Sequence, residues 1–275
     1  MCLILFAHGL HAELPLVVAA NRDEFHGRPT APAAWWADQP DLLAGRDLKD
    51  GGTWLGVRRN GRFAAVTNFS EEPPSPSNAP RSRGELTTGF LNGHQSPAEY
   101  LHEVAARADQ YRGFNLLVSD GRELHYLCNR DGGPRSLSPG TYGMSNALLD
   151  CAWPKVIGGK RELVALIANL RGAELTRALF ALLANRDVAP DDQLPNIDRG
   201  LELARRVSPR FIVNDSYGTR ASTVLVAQRA SAGGAINVSF AEQSFGPDAR
   251  DDGRADYRLS WPTNHRITDV RPRIY

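Results

Sequence analysis

What the sequence has little of narrows it before any motif is read. No stretch approaches the ~18 consecutive apolar residues of a membrane-spanning helix, and the apolar run near the start, "CLILFA", is short. No Lys or Arg precedes Arg22, so that run lacks a positive flank and does not read as a secretory leader. Neither sign of charge dominates. The 32 Lys and Arg against 31 Asp and Glu leave a net charge of +1, which offers no basic footprint for nucleic acid and no polybasic surface for membrane insertion or binding. Cysteine is scarce: Cys2, Cys128 and Cys151 are an odd, widely spaced set with no CxxC pair, so neither a zinc site nor a disulfide framework is expected. A reducing compartment suits such a set, and a cytoplasmic location is the expectation. The seven histidines form no HxH or HExxH pattern, so no metal or other cofactor is expected. The remainder, 42% hydrophobic and 23% charged over 275 residues, is ordinary for a globular chain and reads as one domain over residues 1–275.

The apolar runs that are present read as hairpins. "CLILFA" and "LPLVVAAN" are two buried strands around "HGLHAE". "TWLGV" and "RFAAVTNF" flank the turn "RRNG", and "FNLLVSDGRELHYLCN" folds back at "SDG". "RASTVLVAQ" and "AINVSFAEQSF" pair around "RASAGG", and "HRITDV" reads as an added edge strand. Helical spacing appears between them. "SRGELTTGFLNG" and "SPAEYLHEVAARADQ" each open on a serine cap. "CAWPKVIGGKRELVALIANL" carries a helix that starts at Lys160 or breaks at the Gly158–Gly159 pair; "GAELTRALFALLANR" and the shorter "NIDRGLELARRVS" follow. "SEEPPSPSNAPRSRG" and "GPDARDDGRADYR" read as polar loops. Helices arrive in blocks and do not alternate with single strands, which argues against a doubly wound parallel sheet. The order predicts an α+β fold, with two stacked antiparallel sheets between two helical layers (αββα).

Polar residues follow one apolar strand after another, and strand ends are where a rigid sheet can fix a reactive side chain. Cys2 would carry both a thiol and a free α-amine once Met1 is trimmed. An α-amine titrates near ~8, well placed to take a thiol proton and return it to a leaving amine. The plain alternative is a small apolar residue opening a buried strand. In "AANRDEF", Asp23 can orient that amine, Arg22 can neutralise a thiolate or bind a carboxylate, and Asn21 offers both donor and acceptor; a solvated turn closed by an ion pair is the alternative. Asn68, ending "FAAVTN", can donate to a developing oxyanion or simply start a loop. Asn146 in "YGMSNALLD" can hold a substrate carbonyl or cap a helix. Arg220 in "YGTRAST" can bind an anionic substrate group, tune Cys2, or face solvent from a turn. His8 or His11 could partner Cys2, with nothing to single one out. Cys128 and Cys151 read as core thiols. The tetrapeptide "ANRD" occurs twice, at 20–23 and 184–187, the second time at the end of an amphipathic helix.

"MCLILF", "AANRDEF", "WLGV", "AAVTNF", "SRGELTTGFL", "YGMSNALLD" and "YGTRAST", in that order over residues 1 to about 228, together resemble the NRDE, or transport and Golgi organisation 2, family. That family is in turn similar to N-terminal-nucleophile hydrolases of the choloylglycine hydrolase and penicillin V acylase type, whose αββα fold agrees with the element order. The resemblance implies a nucleophile at Cys2, an orienting carboxylate at Asp23, an oxyanion amide at Asn68 and a second amide at Asn146, with Arg220 in the place of a later arginine. The Arg of the hydrolases' Arg-x-x-Asp segment falls on Ala20, leaving Arg22 to substitute. The implied reaction is cleavage of a non-peptide amide by acyl transfer through Cys2. The same resemblance implies an alternative without catalysis: binding and trafficking of haem, held by Cys2, a histidine or Met144, or of an acyl-CoA or other lipid. The expected partner is in either case a small molecule.

Overall fold

The computed structural model describes residues 2–70, 81–195, 200–230 and 235–262. In chain order its strands are β1 (Leu3–His11), β2 (Leu14–Phe25), β3 (Thr30–Trp36), β4 (Gln39–Asp47), β5 (Leu55–Arg58), β6 (Phe63–Asn68), β7 (Phe114–Ser119), β8 (Leu124–Cys128), β9 (Asp131–Ser136), β10 (Gly140–Met144), β11 (Tyr217–Arg229), β12 (Ala235–Phe245) and β13 (Asp251–Pro262). The helices are α1 (Gly84–Asn92), α2 (Pro97–Ala105), α3 (Pro154–Asn169), α4 (Gly172–Leu183) and α5 (Leu201–Val207). Two antiparallel sheets result, ordered β10-β1-β2-β11-β12-β13 and β3-β4-β5-β6-β7-β8-β9.

The continuous apolar runs reflect burial on both faces of a strand. Along β1, Ile4 and Phe6 enter the core between the sheets, while Leu3, Leu5 and Ala7 face α3 and α4. The second sheet buries Leu42, Ala64 and Leu116 against Leu86, Phe90 and Leu101 of α1 and α2. Each fully buried Leu or Phe contributes about 1.5–3 kcal/mol, so three such cores stack four layers as the αββα order predicts. No helix among the described residues is long and apolar enough to cross a membrane.

Several expected boundaries move. Helix α3 starts at Pro154 and runs through both glycines. A side chain at Gly159 would place its Cβ 2.5 Å from Leu5 Cδ1, so the glycine lets the helix lie close on β1. The second polar loop is in part strand: β13 pairs with β12 from Pro262 back to Arg254 and, after a shift in register, at Asp251, and as an edge it stays largely exposed. Strands β3, β4 and β9 were not expected. Ser96 caps α2 with a full capping box, whereas α1 has Arg83 at its cap and no side-chain cap bond. The stretch "HRITDV" lies outside the described residues.

Candidate active site

Strand β2 does not stop at Ala20. Strand β11 pairs alongside it, matching Asn21 with Ser222, Arg22 with Ala221 and Asp23 with Thr219. The polar segment is therefore buried strand, and the period of two sends successive side chains to opposite faces.

Asn21 faces the helices. Its Nδ2 donates to the carbonyls of Leu183 (3.0 Å) and Arg210 (2.7 Å), and its Oδ1 accepts from Ser222 Oγ at 2.6 Å. It ties β2 to the end of α4 and is not among the residues that line the cleft described below. Arg22 points toward the other sheet. Its guanidinium lies 4.3 Å from the Trp54 ring, donates to Thr30 Oγ1 at 3.2 Å, and sits 3.8 Å from Asp47 and 3.9 Å from Glu24. Asp23 is held by Thr219, whose hydroxyl donates to Oδ1 at 2.7 Å; Oδ2 is buried with no partner among the described residues.

Arg220 is the extra residue of a β-bulge between Thr219 and Ala221. A bulge re-aims a side chain, and this one turns the guanidinium onto the carbonyls of Phe25, His26, Arg28 and Phe245 at 3.0–3.3 Å. Arg220 staples the chain after β2 and does not line the site.

Cys2 enters ahead of β1, whose Leu3 pairs with Asn21, so the thiol comes beside Arg22 and Asp23. Its Sγ lies 3.9 Å from the Asp23 carbonyl. Its own carbonyl accepts from Ser145 Oγ at 2.7 Å. The Ser145 carbonyl in turn accepts from Thr67 Oγ1 (2.6 Å) and Asn115 Nδ2 (3.2 Å), and Tyr126 donates to Asn115 Oδ1 at 2.6 Å. A buried polar network thus fixes the backbone of Cys2 to β6, β7 and β8 of the opposite sheet. A histidine partner is excluded by distance for two residues: His8 lies six positions along β1 from Cys2, about 20 Å at strand rise, and His11 lies farther.

Asn68 ends β6 with its side chain exposed, and its carbonyl accepts from Asn146 Nδ2 at 2.8 Å. Asn146 is buried and braces that strand end from behind. The geometry gathers Cys2, Arg22, Asp23 and Asn68, with Trp54 and Val66, around one cleft of about 550 Å³.

Electrostatics oppose easy ionisation. Burial pushes the Cys2 thiol up, and the Asp23 carboxylate pushes the same way, while Arg22 pulls it down. Burial also raises the Asp23 carboxyl, against the pull of Lys155, Thr219 and Arg22. Lys155 is buried in the first turn of α3, donates to the Val207 carbonyl at 3.0 Å, and is lowered by burial against the charges of Asp23 and Cys2. Met144, a candidate haem ligand, is wholly buried in the core between the sheets and is closed to a ligand.

The family model for Transport and Golgi organisation 2 matches residues 1–247. The chain belongs to that family. A Bos taurus Transport and Golgi organization protein 2 homolog is 38% identical over 249 residues, covering 84% of this chain and 86% of that protein. Among solved structures, the chain is similar to a Caenorhabditis elegans N-acylethanolamine-hydrolyzing acid amidase ortholog (TM-score 0.46, 10% identity, 82% of this chain and 92% of that one). It is also similar to a mutant conjugated bile acid hydrolase from Clostridium perfringens (TM-score 0.48, 8% identity, 94% of this chain and 92% of that one). At such identities the activities in those names remain with those proteins.

In this member of the Transport and Golgi organisation 2 family, the sequence reading misses Lys155, Trp54, Ser145 and the buried Glu242. Only Lys155 left a signal. It stands four residues before Gly159 and next to Val156, on the stripe that α3 buries with Leu163 and Ile167. A lone lysine in a first helical turn otherwise reads as solvated.

Proposed function

We propose that the chain is an N-terminal cysteine hydrolase of a non-peptide amide bond. The observation that carries this reading is the convergence of Cys2, Asp23 and Asn68 on one cleft, with the Asp23 Oδ2 buried and lacking a partner. Hydrolytic removal of Met1 by an aminopeptidase frees an α-amine on Cys2, the kind of cation that this carboxylate oxygen suits. The neutral amine takes the thiol proton, and Sγ attacks the amide carbonyl carbon. The carbonyl electron pair moves to oxygen, where the Asn68 amide donates to the oxyanion; one such donor contributes on the order of 3 kcal/mol to the lowering of the barrier. Collapse breaks the C–N bond, the α-ammonium protonates the leaving amine, and a thioester remains. Water then attacks the thioester, the amine accepting its proton and returning it to the departing thiolate.

The test is the intact mass of the purified protein before and after brief iodoacetamide treatment. Loss of one methionine with fast single labelling, abolished in Cys2→Ala, supports the reading and leads to a screen of amide substrates. Retained Met1, or a Cys2 that labels no faster than an ordinary thiol, overturns it.

A second reading, binding and trafficking without turnover, draws on one observation: burial and Asp23 both hold the Cys2 thiol up, toward the unreactive protonated form. A carrier of haem or an acyl compound tolerates an inert thiol. An absorbance change on adding haem, or saturable uptake of an acyl-CoA, by protein that retains Met1 supports this second reading.

A further inference from the structure

The charges around the Cys2 cleft do not balance. Six of its lining side chains are cationic and four are acidic, one of the acids being Asp23, whose ionised form burial disfavours. The other three acidic residues are already engaged with arginines. Asp47 and Asp50 each take Arg28 at 2.6 Å, and Arg22 lies within 4 Å of both Asp47 and Glu24. Arg81 is paired with Glu85 at 2.5 Å. Arg83 donates to the Gly113 carbonyl at 3.1 Å. That leaves Lys49 and Arg112, and neither has an acidic partner among the described residues. Arg112 is exposed just ahead of β7, and Lys49 follows β4, so both belong to the second sheet's side of the cleft, across from Cys2. Trp54 and Val66 supply apolar wall on that same side.

We infer that the ligand of this cleft carries an anionic group, a carboxylate, sulfonate or phosphate, received by Arg112 and Lys49 while its apolar part lies along Trp54. A guanidinium takes such groups in bidentate fashion, and an ammonium acts as a point charge beside it. In a cleft with protein walls, this excess of positive charge also raises the local concentration of anions. The inference rests on the cleft being the Cys2 site, and it gives that site a substrate class: amides whose acyl or amine portion ends in an anion.

The experiment compares two alkylating agents of nearly equal size, anionic iodoacetate and neutral iodoacetamide, by the rate at which each modifies Cys2. The ratio of the two rates cancels the fraction of ionised thiol. We expect the iodoacetate to iodoacetamide ratio to fall at least about fivefold in Arg112→Glu combined with Lys49→Glu, and to fall in the wild type as salt rises. A ratio that stays within about twofold of the wild-type value in that variant, or two rates that drop together, overturns the inference. A second measurement does not need the thiol: calorimetric titration of inorganic phosphate into Cys2→Ala protein. Binding there that is lost on adding Arg112→Glu supports the anion site even if Cys2 never labels, an outcome that would sink only the hydrolase. No phosphate binding to either protein counts against the anion site.

Discussion

The same four residues, Ala-Asn-Arg-Asp, occur at 20–23 and at 184–187, and the fold treats them in opposite ways. The first copy lies inside β2, with Asn21, Arg22 and Asp23 all at most 6% exposed. The second follows α4 as it ends, where Asn185 closes a local turn by bonding Asp187 side chain to side chain at 2.6 Å, and Arg186 and Asp187 face solvent. The two copies even touch at one remove, since Asn21 donates to Leu183, the residue before Ala184. A tetrapeptide is thus no more a site than its neighbours make it. At 20–23 the neighbours are β1 and β11, which desolvate each side chain and oblige it to find a partner; at 184–187 the side chains bond within the turn or stand exposed.

Truncation should separate the copies most sharply. Asn21→Ala removes three buried hydrogen bonds and strands two carbonyls and the Ser222 hydroxyl, a loss of about 3 kcal/mol. Asn185→Ala should cost less than about 1 kcal/mol. Urea unfolding midpoints of the two variants, at unchanged slope, measure the difference. Equal losses would show that burial does not distinguish them.

The surroundings of Arg22 give the next largest effect. Glu242 is buried across from it, accepting from the Ala33 amide at 2.7 Å and from Thr223 Oγ1 at 3.0 Å, and burial raises its carboxyl to about 7. A carboxyl that titrates higher in the folded than in the unfolded chain favours the fold when protonated. Its contribution is complete below the unfolded value of 4.5 and is lost as pH rises through about 7. Glu242→Gln mimics the protonated group. Its stability relative to wild type should therefore climb by up to about 3 kcal/mol between pH 4.5 and 8, read from thermal or urea unfolding at each pH.

The acidic ends of the two copies compare next. Asp23→Asn removes a negative charge that holds the Cys2 thiol up, so the pH midpoint of iodoacetamide labelling should move down and labelling at pH 7 should quicken. Asp187→Asn should leave the midpoint where it is. The smallest effect is reserved for Arg186→Ala, which gives up a 5.0 Å contact with the Phe211 ring at an exposed position and should change stability by less than about 0.5 kcal/mol.

How much of this is legible in sequence depends on which side of a strand water reaches. The apolar runs of β1, β2, β6, β7 and β11 announce themselves because both faces are buried, and the stacked-sheet fold follows from their order. The reactive cluster is legible as residue types, and Cys2, Arg22, Asp23 and Asn68 do share the cleft. Strand β13 is hidden because an edge strand with exposed faces reads "DDGRADYRLSWP", as polar as a loop. The extension of β2 through Phe25 is hidden because pairing comes from β11, some two hundred residues away, and nothing local records it. The same remoteness conceals that Asn21 and Arg220 serve the backbone. Their types suit a ligand equally well, and the carbonyls of Leu183, Arg210, Phe25 and His26 that they bond are supplied from elsewhere in the chain.

That pairing also sets a schedule. Asp23 and Thr219, joined by one hydrogen bond, are 196 residues apart. At a synthesis rate of ~5–20 residues per second, about 10–40 s separate their emergence from a ribosome. During that interval β2 is a strand with one edge unmatched, and the carboxylate has yet to meet the hydroxyl that orients it. Maturation of the cleft is therefore among the last events in folding. A nascent chain halted before residue 217 would display β2 as an open edge that invites pairing with another chain.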